Sequence, residues 1–328
     1  MRKFIIKRLV VSVLIFFCVA FIIYALMRAL PTSFIQTVAR ERSAGDPSKS
    51  YEEWMKELTV IYNMDKGVFA GFGNWIWEML QGRFGESWYY GIPVVEKFKS
   101  CIMYSLWLNI ITFVLQIIIA VPLGITTAVH QYSYRDYIFT FLAMVGMSLP
   151  TFFFATILKY IFAGKLHWFE AYGMISRDNP MMTPFNQFLD LAWHFVLPVV
   201  TLTILSIGGL MRYVRTNMLE VLNSDYIRTA RAKGLSESKV INRHAFRNTL
   251  IPIVTMVGGS IPGLFSGAMI TEQLFAIEGI GYYSYQAMTK GDIPFYMFYM
   301  CFLAILTLLG NLVSDVLYAV VDPRVRLG

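Results

Sequence analysis

Cysteine, histidine and charge are all scarce in this chain, and each scarcity removes a class of function. Its 328 residues include only 3 cysteines, Cys18, Cys101 and Cys301. They lie far apart within apolar runs, so they build neither a disulfide framework nor a paired ligand spacing. The 4 histidines, His130, His167, His194 and His244, are scattered, with no H-E-x-x-H and no Cys/His pairing. No metal site is read from them. No segment matches G-x-x-x-x-G-K-[ST], so the chain has no phosphate-cradling loop and no cofactor motif of its own. No Ser/His/Asp set assembles from neighbouring motifs, and nothing points to catalysis. Charged residues make up 15% of the chain and apolar residues 56%, against about 25% and about 45–50% in soluble domains. Disorder, collagen-like repetition and a polar-surfaced globule are thereby excluded. No internal repeat or inverted symmetry is visible, which weighs against repeat-built secondary transporters.

What the chain has instead is long apolar runs. A bilayer core of about 30 Å needs about 20 apolar residues in helical form. About six runs qualify, near residues 9–30, 102–129, 137–163, 194–211, 250–275 and 295–321. The expected fold is an all-α integral membrane protein with about six transmembrane helices. The first run follows Arg2, Lys3, Lys7 and Arg8, as a signal peptide would. It is longer than a signal core and lacks a small-x-small cleavage site, so it is read as an uncleaved span. The excess of 28 basic over 21 acidic residues falls in short segments that become cytoplasmic if the N-terminus is inside. Both termini then come out cytoplasmic, in the cell membrane. The net charge is a topology signal, and a nucleic-acid partner is not read.

This gives three parts: residues 1–30 with the N-terminus and first helix, an extracytoplasmic segment at 31–99, and a five-helix core at 100–328. The 31–99 segment is too long for a passive connector. With Trp54, Trp75, Trp77 and Trp88 among charges, part of it is expected to fold as a small cap or to lie on the membrane surface. Three charges fall within the spans: Lys159, Glu272 and Asp315. Each is costly in lipid, and each reads either as interhelical pairing or as the lining of a pathway. In the fifth run, Gly259, Gly263 and Gly267 recur every four residues beside Pro262. On one continuous helix they would form a face for close helix packing or for a path.

The most informative segment is the loop 217–248. Met218, Leu222 and Tyr226 share a helical stripe, with Leu219 beside it. Ser224 or Asp225 can cap a short helix over 226–233, and Gly234 suits a left-handed exit. Ser236 can cap a following helix with Glu237 in its first turn. Two short helices hinged at Gly234-Leu235-Ser236 result. The first is basic through Arg228, Arg231 and Lys233. Periodicity leaves two readings open: a helix touching anionic lipid, or a docking element for a soluble partner.

The run Asp225-Tyr226-Ile227-Arg228-Thr229-Ala230-Arg231-Ala232-Lys233-Gly234-Leu235-Ser236 resembles the cytoplasmic coupling motif of ABC importer permeases, in the oligopeptide/dipeptide/nickel branch. The general pattern, E-A-A-x3-G followed after nine residues by I-x-L-P, aligns with Arg228-Thr229-Ala230 and Gly234. His244-Ala245-Phe246-Arg247 stands where I-x-L-P would be, and Arg243 to Asn248 is similar to the branch's Arg-His-Ala-x-Arg-Asn. Further resemblance lies in Gly82-Arg83-Phe84-Gly85-Glu86-Ser87 with Pro93-Val94, in Gly146-Met147-Ser148-Leu149-Pro150, and in residues 212–222. It extends to Asn311-Leu312-x2-Asp315 and Asp322-Pro323-Arg324-Val325-Arg326. Two stretches depart from the branch: Ile277-Glu278-Gly279, where Pro-Gly is usual, and 99–109, which lacks Pro-Ala-Thr-Leu. The B-type subunit, with its long segment after the first span, matches best.

The resemblance implies the type I ABC importer permease fold and uptake of oligopeptides or dipeptides. It implies a second homologous permease, two P-loop ATPases carrying ATP and Mg, and an extracytoplasmic binding protein as partners. It assigns ATPase coupling to Asp225, Arg228, Thr229, Ala230, Arg231, Ala232, Lys233, Gly234, Leu235 and Ser236. Ala230 and Ala232 would allow close approach of the ATPase. The alternatives are an importer of nickel or another small solute and, from another class, an ATP-independent transporter.

Overall fold

Whether each apolar run forms one straight helix depends on where proline and glycine interrupt it. A computed structural model describes the backbone of residues 2–29, 33–45, 49–61 and 65–321. Within these, the side chains of residues 2–7, 27, 29, 33, 34, 61, 251, 252, 255, 257, 258 and 313–321 are not described. The described elements are helical, apart from an isolated bridge between Glu86 and Pro93. They fall into two compact units, residues 1–103 with 283–312, and residues 104–282 with 313–328.

The first unit begins with α1 (Arg2–Ala29), α2 (Ser33–Gly45), α3 (Tyr51–Ile61) and α4 (Val68–Leu80). Part of the long segment after the first span therefore does fold. Ile35 and Ala39, one turn apart on α2, are buried with Leu58 of α3, and Trp54, Met55 and Trp88 pack around them. A reciprocal capping box starts α3. The Ser50 backbone N–H donates to Glu53 Oε2 at 2.8 Å, and the Glu53 N–H donates to Ser50 Oγ at 3.3 Å. Aromatic contacts join α4 to α1, with the Phe21 ring 5.3 Å from Phe69 and 5.2 Å from Phe72.

Three helices contain residues of both units: α5 (Val94–Val129) and, later in the chain, those over 280–290 and 293–321. The second unit continues with α6 (Tyr134–Ser148) and α7 (Thr151–Leu158), which runs on as a π-helical segment, Lys159–Lys165. The long α8 (Pro184–Leu222) follows. Then come α9 (Asp225–Ala232), α10 (Glu237–Lys239) and a π-helical stretch, Val240–Ala245. The unit continues with α11 (Phe246–Gly259), α12 (Ile261–Phe265) and α13 (Met269–Phe275). After α14 (Ile280–Lys290), α15 (Ile293–Val321) is the last of the described elements.

Among the described residues, 4 helices are long and apolar enough to cross a membrane, within α1, α5, α8 and α15. A fifth arises if the pair α6 and α7 counts as one span. Two expected runs are thereby corrected. The run 137–163 bends by 104° between α6 and α7. Pro150 has no N–H to continue the ladder and holds Leu149 extended at φ −78°, ψ 127°. The run 250–275 is three helices, with breaks at Ser260 and at 266–268. Gly259 ends the first, Gly263 lies within the second, and Gly267 sits between elements with φ +72°. The three glycines thus do not share one helical face. A Cβ on Gly263 would meet nothing within 4 Å, whereas one on Gly267 would lie 2.6 Å from the Gly281 backbone N. Helix-on-helix contact through a glycine occurs elsewhere. A Cβ at Gly208 of α8 would stand 2.6 Å from the Ala143 carbonyl of α6.

Candidate functional site

The helix α9 is only eight residues long, too short to be stable alone, so its packed face must hold it. Ile227 and Ala230, three residues apart, are buried in a core shared with Met211, Val214 and Met218 of α8 and with Val240 and Ala245. The face opposite is exposed: Asp225, Arg228, Thr229, Arg231, Ala232 and Lys233. Of the two alanines, Ala230 faces this chain's own core and only Ala232 faces outward. The stripe extrapolated from Met218 through Leu222 to Tyr226 breaks at Ser224. Tyr226 is 47% exposed, and Ile227 takes the buried position. Tyr226 keeps a tether, since Asn248 Nδ2 donates to its hydroxyl at 3.3 Å.

Both ends of α9 lie within a residue of their expected places, but the caps differ. Ser224 and Ser236 occupy the N-cap positions of α9 and α10 without capping through their side chains. Ser224 Oγ instead donates to the Val221 carbonyl at 2.6 Å. The C-terminal exit is a Schellman turn. The Gly234 N–H donates to Arg231 O at 2.9 Å, and the Leu235 N–H to Ala230 O at 3.4 Å. Gly234 sits at φ +76° with open space where a Cβ would project, so its requirement is conformational rather than steric.

Across that turn lies a contact that motif reading missed. Arg231 Nη2 donates to Glu237 Oε1 at 2.6 Å, and Arg231 Nε to Glu237 Oε2 at 3.2 Å. This bidentate clasp closes the elbow between α9 and α10. Its hydrogen bonds hold the Glu237 carboxyl below its ordinary range and raise the Arg231 guanidinium. A carboxyl lowered on folding stabilises above its unfolded value and loses that contribution as pH falls through the folded one. The elbow therefore loosens on acidification below the ordinary carboxylate range. Both side chains are about half exposed, so the clasp contributes about 0.2–1 kcal/mol. Glu237→Gln is expected to raise amide exchange at Gly234 and Leu235 by about 2- to 5-fold at neutral pH. The Arg231→Glu, Glu237→Arg double variant should restore protection. Unchanged exchange in the single variant would show the clasp to be idle.

The expected span charges are placed differently from one another. Lys159 donates through Nζ to the Leu274 carbonyl, and its ammonium lies 3.5 Å from the Tyr172 ring centroid. Glu272 is fully buried. It accepts from Ser105 Oγ at 2.7 Å, from the Ala268 N–H at 2.8 Å and from the Tyr282 N–H at 2.9 Å. Ser105 Oγ also accepts from the Ile280 N–H at 2.7 Å. The two stretches that depart from the branch pattern thus meet. A Cβ on Gly279 would come within 2.3 Å of Ser105 Oγ. The Asp315 side chain lies outside the described residues, as do residues 322–328.

A buried ion pair also escaped the sequence reading. Asp136, 4% exposed, accepts from Arg215 Nε at 3.0 Å and from Arg215 Nη2 at 2.8 Å. It accepts as well from the Tyr132 N–H at 3.1 Å and from Thr140 Oγ1 at 3.2 Å. The pair joins the start of α6 to α8. Ser133 Oγ caps α6 by accepting from the Asp136 N–H, and Ser-x-x-Asp was the one legible signal there. Of the scattered histidines, His194 has a buried side chain, with Nδ1 2.8 Å from the Asp190 carbonyl oxygen, and His167 is exposed.

Comparison with known proteins places these features in a wider set. Residues 120–327 match the family described as binding-protein-dependent transport system inner membrane component. The chain is similar to the oligopeptide transport system permease protein AppB of Bacillus subtilis, at 34% identity over 99% of this chain and 100% of that protein. It is similar to the dipeptide transport system permease protein DppB of Alkalihalophilus pseudofirmus, at 30% identity over 99% and 100%. The DppB protein of Escherichia coli K12 is 31% identical over 99% of both chains.

Proposed function

The chain belongs to the family of binding-protein-dependent transport system inner membrane components, and from that premise we propose that it is a permease subunit of an ATP-driven importer of oligopeptides or dipeptides. It is a multi-pass membrane transport subunit of the type I permease fold, and ATP hydrolysis belongs to separate subunits. The partners we propose are a second homologous permease, two P-loop ATPases that bind ATP and Mg, and an extracytoplasmic binding protein that delivers the peptide. In this reading both termini and the 217–248 loop are cytoplasmic, in keeping with the basic residues there.

One observation carries the mechanism. The helix α9 is fastened to its own unit by Ile227 and Ala230, while its other face and the Gly234 elbow are exposed. An element so built passes force in both directions. A cleft on an ATPase takes the elbow, and the buried face carries the cleft's movement to α8 and α11. Transfer of work requires that the elbow contact the closed and open ATPase dimers differently. Arg228, Lys233 and Thr229 supply the polar contacts, Ala232 the close approach, and Leu235 and Ser236 the tip. Asp225, beside Arg228 at 3.6 Å, tempers the basic face. The small-solute alternative, nickel included, is not favoured, because the relatives are named for peptide transport.

The test is tagged purification of the chain from its native host in mild detergent, with the co-purifying proteins identified. Recovery of P-loop ATPases and a second permease is expected, together with a binding protein that holds peptide. Recovery of the chain alone, still moving solute without ATP, would overturn the reading.

A further inference from the structure

In the first unit, a cavity of about 330 Å³ opens between α4, the 81–93 loop, the end of α1 and the start of α15. Its wall carries charges of both signs, Arg28 and Arg83 against Glu78 and Glu86. A second cavity of about 200 Å³ shares Trp75, Phe84 and Pro294 with it, and the rest of that wall is wholly apolar: Met79, Phe298, Cys301, Phe302 and Ile305. Shared walls make the two one groove, charged at its head and apolar along its tail. Pro294 to Ile305 spans about 16 Å of helix at 1.5 Å per residue, on a helix apolar enough to cross the membrane.

We propose that this groove is a phospholipid site that takes a zwitterionic aminophospholipid. Its phosphate faces Arg28 and Arg83, its ammonium faces Glu78 and Glu86, and one acyl chain runs down α15. Charge complementarity selects the headgroup. Two cations and two anions around one cavity suit a ligand carrying both signs, whereas an anionic lipid would leave two carboxylates against its phosphate. Depth selects the lipid over a soluble zwitterion. A soluble peptide would have to strip water from its backbone amides against Phe298, Phe302 and Ile305, whereas an acyl chain brings no polar group there. Trp75 and Trp88, at the head of the groove, belong to the side chains that favour the headgroup level.

The head is built rather than incidental. Arg28 Nη1 donates to Tyr24 Oη at 3.1 Å, and the pair passes directly over Gly71 of α4. A Cβ at Gly71 would lie 2.2 Å from Tyr24 Oη and 2.7 Å from Arg28 Nη1, so a side chain there would push both away from this wall. Arg83 and Glu78 are exposed to the cavity side of the loop and helix that carry them and make no part of the buried packing.

The test is native mass spectrometry of the full-length chain in detergent, titrated with phosphatidylethanolamine or phosphatidylglycerol of identical acyl chains. One phosphatidylethanolamine should be retained about 10-fold more tightly than phosphatidylglycerol, the effect of one well-made charge-assisted contact. Arg83→Gln with Glu78→Gln should abolish that preference. Ile305→Trp, which fills the tail on an already half-exposed position, should weaken both lipids alike, and it keeps the test valid should the charge variant misfold. Equal retention of the two lipids by the wild type, retention unaffected by either variant, or displacement of lipid by a soluble dipeptide would overturn the assignment.

Discussion

With valine in place of Gly234, uptake by vesicles holding the assembled transporter is expected to fall about 30-fold while ATP hydrolysis continues. That factor corresponds to about 2 kcal/mol, the cost of forcing an L-residue into the left-handed region, with β-branching at the upper end. Nothing lies within 4 Å of the added Cβ, so packing contributes no part of the loss. The strain is relieved by opening the turn. Opening costs the Gly234 N–H to Arg231 O bond of 2.9 Å and the Leu235 N–H to Ala230 O bond of 3.4 Å. In the proposed coupling role, the elbow would then no longer present one shape to the ATPase, and closure of the ATPase dimer would slip past it. Gly234→Asn is the comparison that separates conformation from bulk, because asparagine tolerates left-handed backbone. It should keep most of the uptake. Normal coupling in the valine variant, or an asparagine variant as impaired as the valine one, would sink the assignment of Gly234 as the coupling turn.

Asp136→Ala is expected to destabilise the protein by about 3 kcal/mol, the lower end of what breaking a buried pair costs. Arg215 is 24% exposed and recovers some water once its partner is gone, which places the value there rather than higher. The loss also orphans the Tyr132 N–H and Thr140 Oγ1, which both donate to the same carboxylate. Removing both charges, as Asp136→Ala with Arg215→Met, should regain much of the stability, since the cost comes from the charge left behind. Unfolding in a graded detergent titration reads both. A double variant less stable than the single one would show that the pair itself, rather than its disruption, dominates.

The membrane class was legible because bilayer thickness sets a length that apolar runs must meet, and four helices among the described residues meet it. The elbow was legible for a local reason: a glycine after a short helical run, with serine two residues on, admits few backbone paths. The breaks were harder to read. Hydropathy over 250–275 is continuous, yet Ser260 and residues 266–268 interrupt the helix. At 137–163 the signal was present, since the residue before Pro150 is steered to extended backbone. Extrapolating one stripe from Met218 to Tyr226 failed because the helix ends at Leu222 and the phase restarts at Asp225, which buries Ile227 instead.

Composition and spacing by themselves determined that this chain is a helical membrane protein, and located its exposed hinge at Gly234. These are properties of single residues and their near neighbours, where bilayer length, proline and left-handed backbone act within a few positions. Only the tertiary structure decided that Asp136 meets Arg215, that Glu272 is held by Ser105 and that Ala230 faces inward. Those pairings join residues 79 and 167 positions apart. A charge or an alanine has no preferred partner until packing brings one within reach.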